Sequence, residues 1–147
     1  MNKLLTEYAA ILARVPKRLV DISDEDAEQK PRSGGWSKKE LLGHLIDSVS
    51  NNHQRFVRGQ LVRRLEFPEY QQNEWVAAQD YATASWPDLV NLWLLFNRHL
   101  LHVLRHLPES AQSNEITVGG KAPVTLVKLA EDYLSHMNHH LAQILGE

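Results

Sequence analysis

The chain has 147 residues, 43% hydrophobic and 23% charged, enough for one globular domain over residues 1–147 with a single buried core. Sixteen Lys and Arg against 18 Asp and Glu give a formal net charge of -2, so the totals supply no field that would hold nucleic acid or an anionic membrane. Zero cysteines exclude disulfides, thiolate ligands and a cysteine nucleophile, which leaves histidine and carboxylate as the strong metal ligands.

The first helix is predicted from about Lys3 to Leu19, with Leu4, Tyr8, Ile11, Leu12, Val15 and Leu19 at helical spacing and Pro16 ending or kinking it. Thr6 and Glu7 interrupt the place where a signal peptide needs its apolar stretch, and no apolar run approaches the roughly 20 residues of a membrane span. A cytoplasmic location is therefore expected. The polar run DISDEDAEQKPRSGG reads as a connection.

The second helix has the clearest start. Ser37 and Glu40 form an S-x-x-E capping box with Ser37 as N-cap, and Trp36 is placed to staple onto Leu41. The pattern continues to about Leu61 with Leu41, Leu45, Val49 and Phe56 on the buried face. More than twenty residues then separate it from the third helix, too many for a hairpin between bundle neighbours. They must cross over the bundle or carry a short helix, for which Asn73 to Ala82 is the candidate. The third helix is predicted from near Ser85 to about Leu107, with Pro87 tolerated in its first turn, and the fourth from about Thr125 to Leu145. Between them Gly119-Gly120 can close a small hairpin. The fold class is all-α: an antiparallel-type four-helix bundle with one long crossover between helices two and three.

At about 100° per residue, the fourth helix places His140 inside the edge of its apolar arc and His136 about 40° further out, with Gln143 beside it. His139 points further towards the polar side. An i, i+4 pair puts two imidazoles one above the other, here on a face that looks into the bundle. On the second helix His44, Ser48, Asn51 and Arg55 recur along one edge of the apolar face. Packing does not require such a stripe; it would line a pocket roughly 16 Å long. Two helices that each turn a histidine-bearing edge inward can supply three nitrogens to one ion, which is how bundle metal sites are built. The opposing reading is ordinary half-buried imidazoles, since eight histidines also place an H-x-x-x-H pair at His102 and His106, which with His99 has no partner stripe. Asn97 falls in the apolar arc of the third helix, where its amide must find partners by bridging helices or by meeting substrate.

The segment from Trp36 to Asp47 (WS-x-x-E-x-x-G-H-L-x-D), the NNHQRF continuation at Asn51 to Phe56, and H-x-x-H-H-x-x-Q-I at His136 to Ile144 together resemble the DinB/YfiT-like superfamily of four-helix proteins. The resemblance spans nearly the whole chain. It implies His44, His136 and His140 as ligands of a divalent transition metal (zinc, nickel or iron), a completing water, and a homodimer. It also implies metal-assisted transfer of a low-molecular-weight thiol, with a related domain in iron-dependent sulfoxide synthesis, so a small-molecule substrate is expected. An ion on three neutral histidines would lower the pKa of a bound water or thiol. Arg55 is then the candidate for a substrate carboxylate, while Ser48, Asn51 and Gln143 orient ligands or substrate by hydrogen bonds. Asp47 is read from its angle as a surface charge in preference to an acceptor behind a ligand. A metal-dependent hydrolase and a non-catalytic, metal-binding stress-response module remain open beside the transferase. Closure of the fourth coordination position separates a structural from a catalytic site.

Overall fold

Four long helices form where the apolar periodicity demands them: α1 (Asn2–Val20), α3 (Lys38–Gly59), α5 (Trp86–Arg105) and α6 (Leu126–Leu145). The computed structural model describes residues 1–147. α3 packs against α5 and α6, and α1 packs against the same two, so α1 and α3 stand at opposite corners of a four-helix bundle. α1 does not end at Pro16 but continues to Val20, because Val15 and Leu19 are buried on either side of the proline and packing outweighs one lost backbone bond. No helix is long and apolar enough to cross a membrane.

Each end of α3 and α6 is held locally. Ser37 accepts from the Glu40 amide and the Glu40 side chain accepts from the Ser37 amide, so the expected capping box is present. Thr125 caps α6 by accepting from the Lys128 amide, and Gly146 closes it in the left-handed conformation. These caps set the rotation of both helices about their axes, and with it the direction of every site side chain.

The connections carry more structure than periodicity showed. The polar run after α1 folds into α2 (Asp24–Glu28), capped by Ser23. It is tied down by Lys39, which is buried in the first turn of α3 and pairs with Asp24 and with Glu28 at 3.2 Å. The crossover carries β1 (Arg64–Phe67) and α4 (Gln72–Ala78); the short helix expected over Asn73 to Ala82 stops at Ala78 and gives way to a tight turn at Tyr81–Thr83. The hairpin at Gly119-Gly120 is formed by β2 (Glu115–Val118) and β3 (Val124–Thr125). Both glycines have positive φ, +60° and +71°, as such a turn requires. β1 adds to β2 in parallel, with Arg64 opposite Glu115 and Phe67 opposite Val118, making a three-stranded sheet that anchors the crossover.

One glycine positions the crossover against α3. A Cβ on Gly43 would lie 2.2 Å from Cδ2 of Tyr81, so only glycine lets that ring pack on the helix one residue before His44. Of the buried polar side chains, Asn97 is the most fully enclosed, at 0% exposed. Asn97 accepts from the hydroxyls of Tyr8 (2.6 Å) and Tyr133 and donates to the Trp93 carbonyl at 2.8 Å, which makes it a bridge between α1, α5 and α6.

Candidate metal centre

α3 and α6 turn three imidazoles towards one another. His44 Nε2 lies 3.0 Å from His136 Nε2, and one nitrogen from each of His44, His136 and His140 falls within 4.8 Å of the other two. Around a tetrahedral zinc with Zn–N near 2.0–2.1 Å, neighbouring ligand nitrogens are about 3.3 Å apart. The three side chains therefore match an ion's donor set with small adjustments. No carboxylate joins the cluster, and a set of three neutral nitrogens suits the borderline ions zinc, nickel, cobalt and iron.

The surroundings keep these rings neutral. His44 is 1% exposed, and burial, then the neighbouring His136 and His140, lower its pKa to about 4. His136 is likewise lowered to about 4, by burial first and then by His140 and His139. Burial also lowers His140, opposed by a hydrogen bond to Gln143. That bond, His140 Nδ1 to Gln143 Oε1 at 2.7 Å, puts the proton on Nδ1 and frees Nε2 for a ligand role. Trp36 lies over His44 with ring centroids 5.0 Å apart, covering the cluster from the chain segment just before α3.

Protonation of these imidazoles favours the unfolded chain, where their pKa is near 6.5. Metal-free protein is therefore expected to hold this share of its stability above about pH 6.5 and to lose it as the pH falls towards about 4. Replacing His44 by Gln should flatten the acid loss by on the order of 2 kcal/mol, read as the change in urea midpoint between neutral and mildly acidic buffer. An acid slope identical to wild type would place the responsible protonation elsewhere.

Of the stripe on α3, Ser48 and Arg55 face a cavity of about 220 Å³ that His136 also lines. Asn51 does not: its amide donates to the Asp47 carbonyl at 2.9 Å. Asn52 stands on the cavity wall in its place, donating to the Ser48 carbonyl at 2.9 Å. A larger cleft of about 960 Å³ is lined by His140 and Gln143 together with Trp36 and Leu41. Two of the three imidazoles thus open onto different cavities.

Asp47 is a correction to the reading by angle. It is 3% exposed, because the crossover covers it: Tyr81 donates its hydroxyl to Oδ1 at 2.7 Å and Gln79 its amide at 2.8 Å. Burial raises its pKa, and the two hydrogen bonds partly offset that. Its Oδ2 and the Nδ1 of His44, three residues apart on α3, are both buried without a partner. Tyr70, also from the crossover, lines the smaller cavity, and burial pushes its pKa up to about 12. Neither Tyr70 nor Tyr81 carries a local signal, since both reach the site only through the fold. The histidines of α5 stay outside it. His99, His102 and His106 are exposed on the far face, with His53 of α3 beside His99 at 5.1 Å between centroids.

A helical bundle whose two facing helices converge three histidines on one point, reached through a long crossover, defines a recognisable class of metal-site bundle. The chain belongs to the DinB superfamily, whose sequence profile matches residues 7–144. Among its relatives is a provisionally named metal-dependent hydrolase of Oceanobacillus iheyensis, 25% identical over 149 residues, covering 98% of this chain and 83% of that protein. Another, from Geobacillus thermodenitrificans, bears the same provisional name and is 27% identical over 147 residues, covering 95% and 82%. The fold is shared with the solved structure of Bacillus subtilis YfiT, at a TM-score of 0.76 and 24% identity over 95% of this chain and 83% of that one. It is shared as well with a mycothiol-dependent maleylpyruvate isomerase, at a TM-score of 0.72 and 16% identity, which covers 97% of this chain but 60% of the isomerase.

Proposed function

We propose that residues 1–147 form one metal-dependent enzyme domain that holds a divalent transition ion on His44, His136 and His140 and acts on a small molecule. The observation that carries this is the convergence of three imidazole nitrogens within 4.8 Å, on rings whose surroundings keep them neutral at pH 7. When bound, such an ion supplies Lewis acidity, lowering the pKa of a protic ligand in the position the protein leaves open. The chain's own residues do the rest. Gln143 holds the His140 tautomer, Trp36 and the buried α3 backbone screen His44 from bulk water, and the two cavities give separate approaches to the cluster. With three protein ligands and open space beside them, the arrangement favours a catalytic over a closed structural site.

Two reactions are compatible with this. Hydrolysis is supported by the provisional names of the relatives. Transfer of a low-molecular-weight thiol is supported by one specific feature, the opening of His140 and His136 onto two different cavities, which suits a reaction that must hold a nucleophile and an acceptor at once. The likeness to a mycothiol-dependent isomerase is in keeping with it. A homodimer is part of the same reading, supported by Leu92 and Leu95, which stand 49% and 60% exposed on α5.

Cobalt-substituted protein separates the two. A simple thiol is expected to produce a sulfur-to-metal charge-transfer band, since thiolate is a softer ligand than water. His44→Ala should abolish the band and His102→Ala should leave it intact. If thiols give neither band nor conjugate, the transfer reading fails and hydrolysis is the better account.

A further inference from the structure

Arg55 lies near the cluster without a salt-bridge partner: burial lowers its pKa, and the nearby Glu69 only partly offsets that without pairing with it. It forms no ion pair and donates no hydrogen bond, its Nε is buried without a partner, and its guanidinium lies over the Phe67 ring at 5.3 Å from the centroid. A guanidinium stays protonated at any physiological pH and has five donors to satisfy, so leaving it in this state costs stability. The acidic residues on the same cavity wall are already engaged at the rim, Glu69 by Lys121 at 3.1 Å and Asp132 by Lys128 at 2.8 Å. Helical side chains lean towards the N-terminus of their helix, which carries Arg55 back along α3 towards Ser48 and His44. Ser48, Asn52, Tyr70 and His136 line the same wall, so one cavity is shared by the unpaired Arg55 and by His136 of the histidine cluster.

We propose that this cavity receives the carboxylate of a small organic substrate, gripped by Arg55, with the remainder of the molecule directed past Ser48 and Asn52 to the three histidines. A planar, two-oxygen anion matches the guanidinium fork. A phosphate, with three oxygens to satisfy, finds one guanidinium in mid-helix and no backbone amides to share the load. A cavity of about 220 Å³ has room for a small organic anion. The inference rests on the metal-centre reading for where the substrate's other end goes, but the anion dock stands on Arg55 alone.

Calorimetric titration of the metal-loaded protein with propionate, propionamide and inorganic phosphate tests it. Propionate should bind saturably, propionamide should not, and phosphate should bind more weakly than propionate. Arg55→Gln should weaken propionate at least about tenfold, the worth of one charge-assisted hydrogen bond, while keeping the circular dichroism and metal content of wild type. Arg55→Lys, which keeps the charge and secures a folded comparison, should fall between. Arg98→Gln should bind as wild type, since that residue is exposed on α5 and outside the cavity. Propionate binding unchanged in Arg55→Gln overturns the proposal, as does preference for phosphate or for the amide. Metal-stripped protein keeps the two readings apart. Arg55-dependent propionate binding there supports the dock even if the metal assignment fails. Binding that vanishes with the metal but survives Arg55→Gln makes propionate a metal ligand and overturns the dock.

Discussion

Purified without chelator or histidine tag, the protein is expected to carry close to one divalent transition ion per chain, and His136→Ala to lose it. His136 adjoins both other members of the cluster, its Nε2 3.0 Å from that of His44 and its ring 4.6 Å from that of His140. Removing one of three ligands leaves two, and the affinity should fall by more than the roughly 10–100-fold that losing a residue behind a ligand costs. Gln143→Ala, which frees the His140 ring without deleting it, should show that smaller effect. Metal content by plasma mass spectrometry is the readout, and equal content in His136→Ala would sink the assignment. The stripped protein should keep its helical circular dichroism, because the buried core of 31 apolar residues holds the four helices without help from the ion. Loss of helicity on stripping would instead favour a structural site.

Asn97→Ala should be the most destabilising single polar deletion in the core, by about 4 kcal/mol. The side chain is 0% exposed, and its carbonyl oxygen accepts from two tyrosine hydroxyls whose one alternative partner is each other. Deleting it leaves the pair of hydroxyls one acceptor short, at roughly 1–3 kcal/mol, and opens a void where three helices meet, at a further cost of about 1–2 kcal/mol. Burial keeps both phenols protonated far beyond neutral pH, so they can respond only by finding another acceptor. Urea denaturation measures the loss; a value under about 1 kcal/mol would show that the tyrosines find new partners. Pairing the variant with Tyr8→Phe should recover part of the cost, since the orphan is then removed along with its acceptor.

The four helices and the histidine pairing were legible because both depend on spacing along one chain segment. Leu45, Val49 and Phe56 recur at the helical period and are buried, although Leu42 is buried more fully than the expected Leu41, and the capping box at Ser37 and Glu40 is a contact between residues three apart. Once α3 and α6 are capped and their apolar faces buried, His44, His136 and His140 have little choice of direction. Asn97 was marked as a buried amide for the same reason, although its tyrosine partners, 89 and 36 residues away, were not.

The neighbours of the cluster were decided by tertiary structure. Asp47 looked like a surface charge because helical angle alone does not know that Tyr81 and Gln79 will fold over it. β1 pairs with a strand some fifty residues away, and its four residues are too few to register as a strand by alternation. That pairing helps anchor the crossover that brings Tyr70 to the cavity. Asn51 and Asn52 both donate to the backbone four residues back, and the packing of α3 among its neighbours decides that the second and not the first lines the cavity. The sequence by itself thus determined the bundle and the three imidazoles, through hydrogen bonds and apolar periodicity that act within four residues. What surrounds those imidazoles, including the pocket of Arg55, was left to contacts between distant segments, whose partners no local pattern encodes.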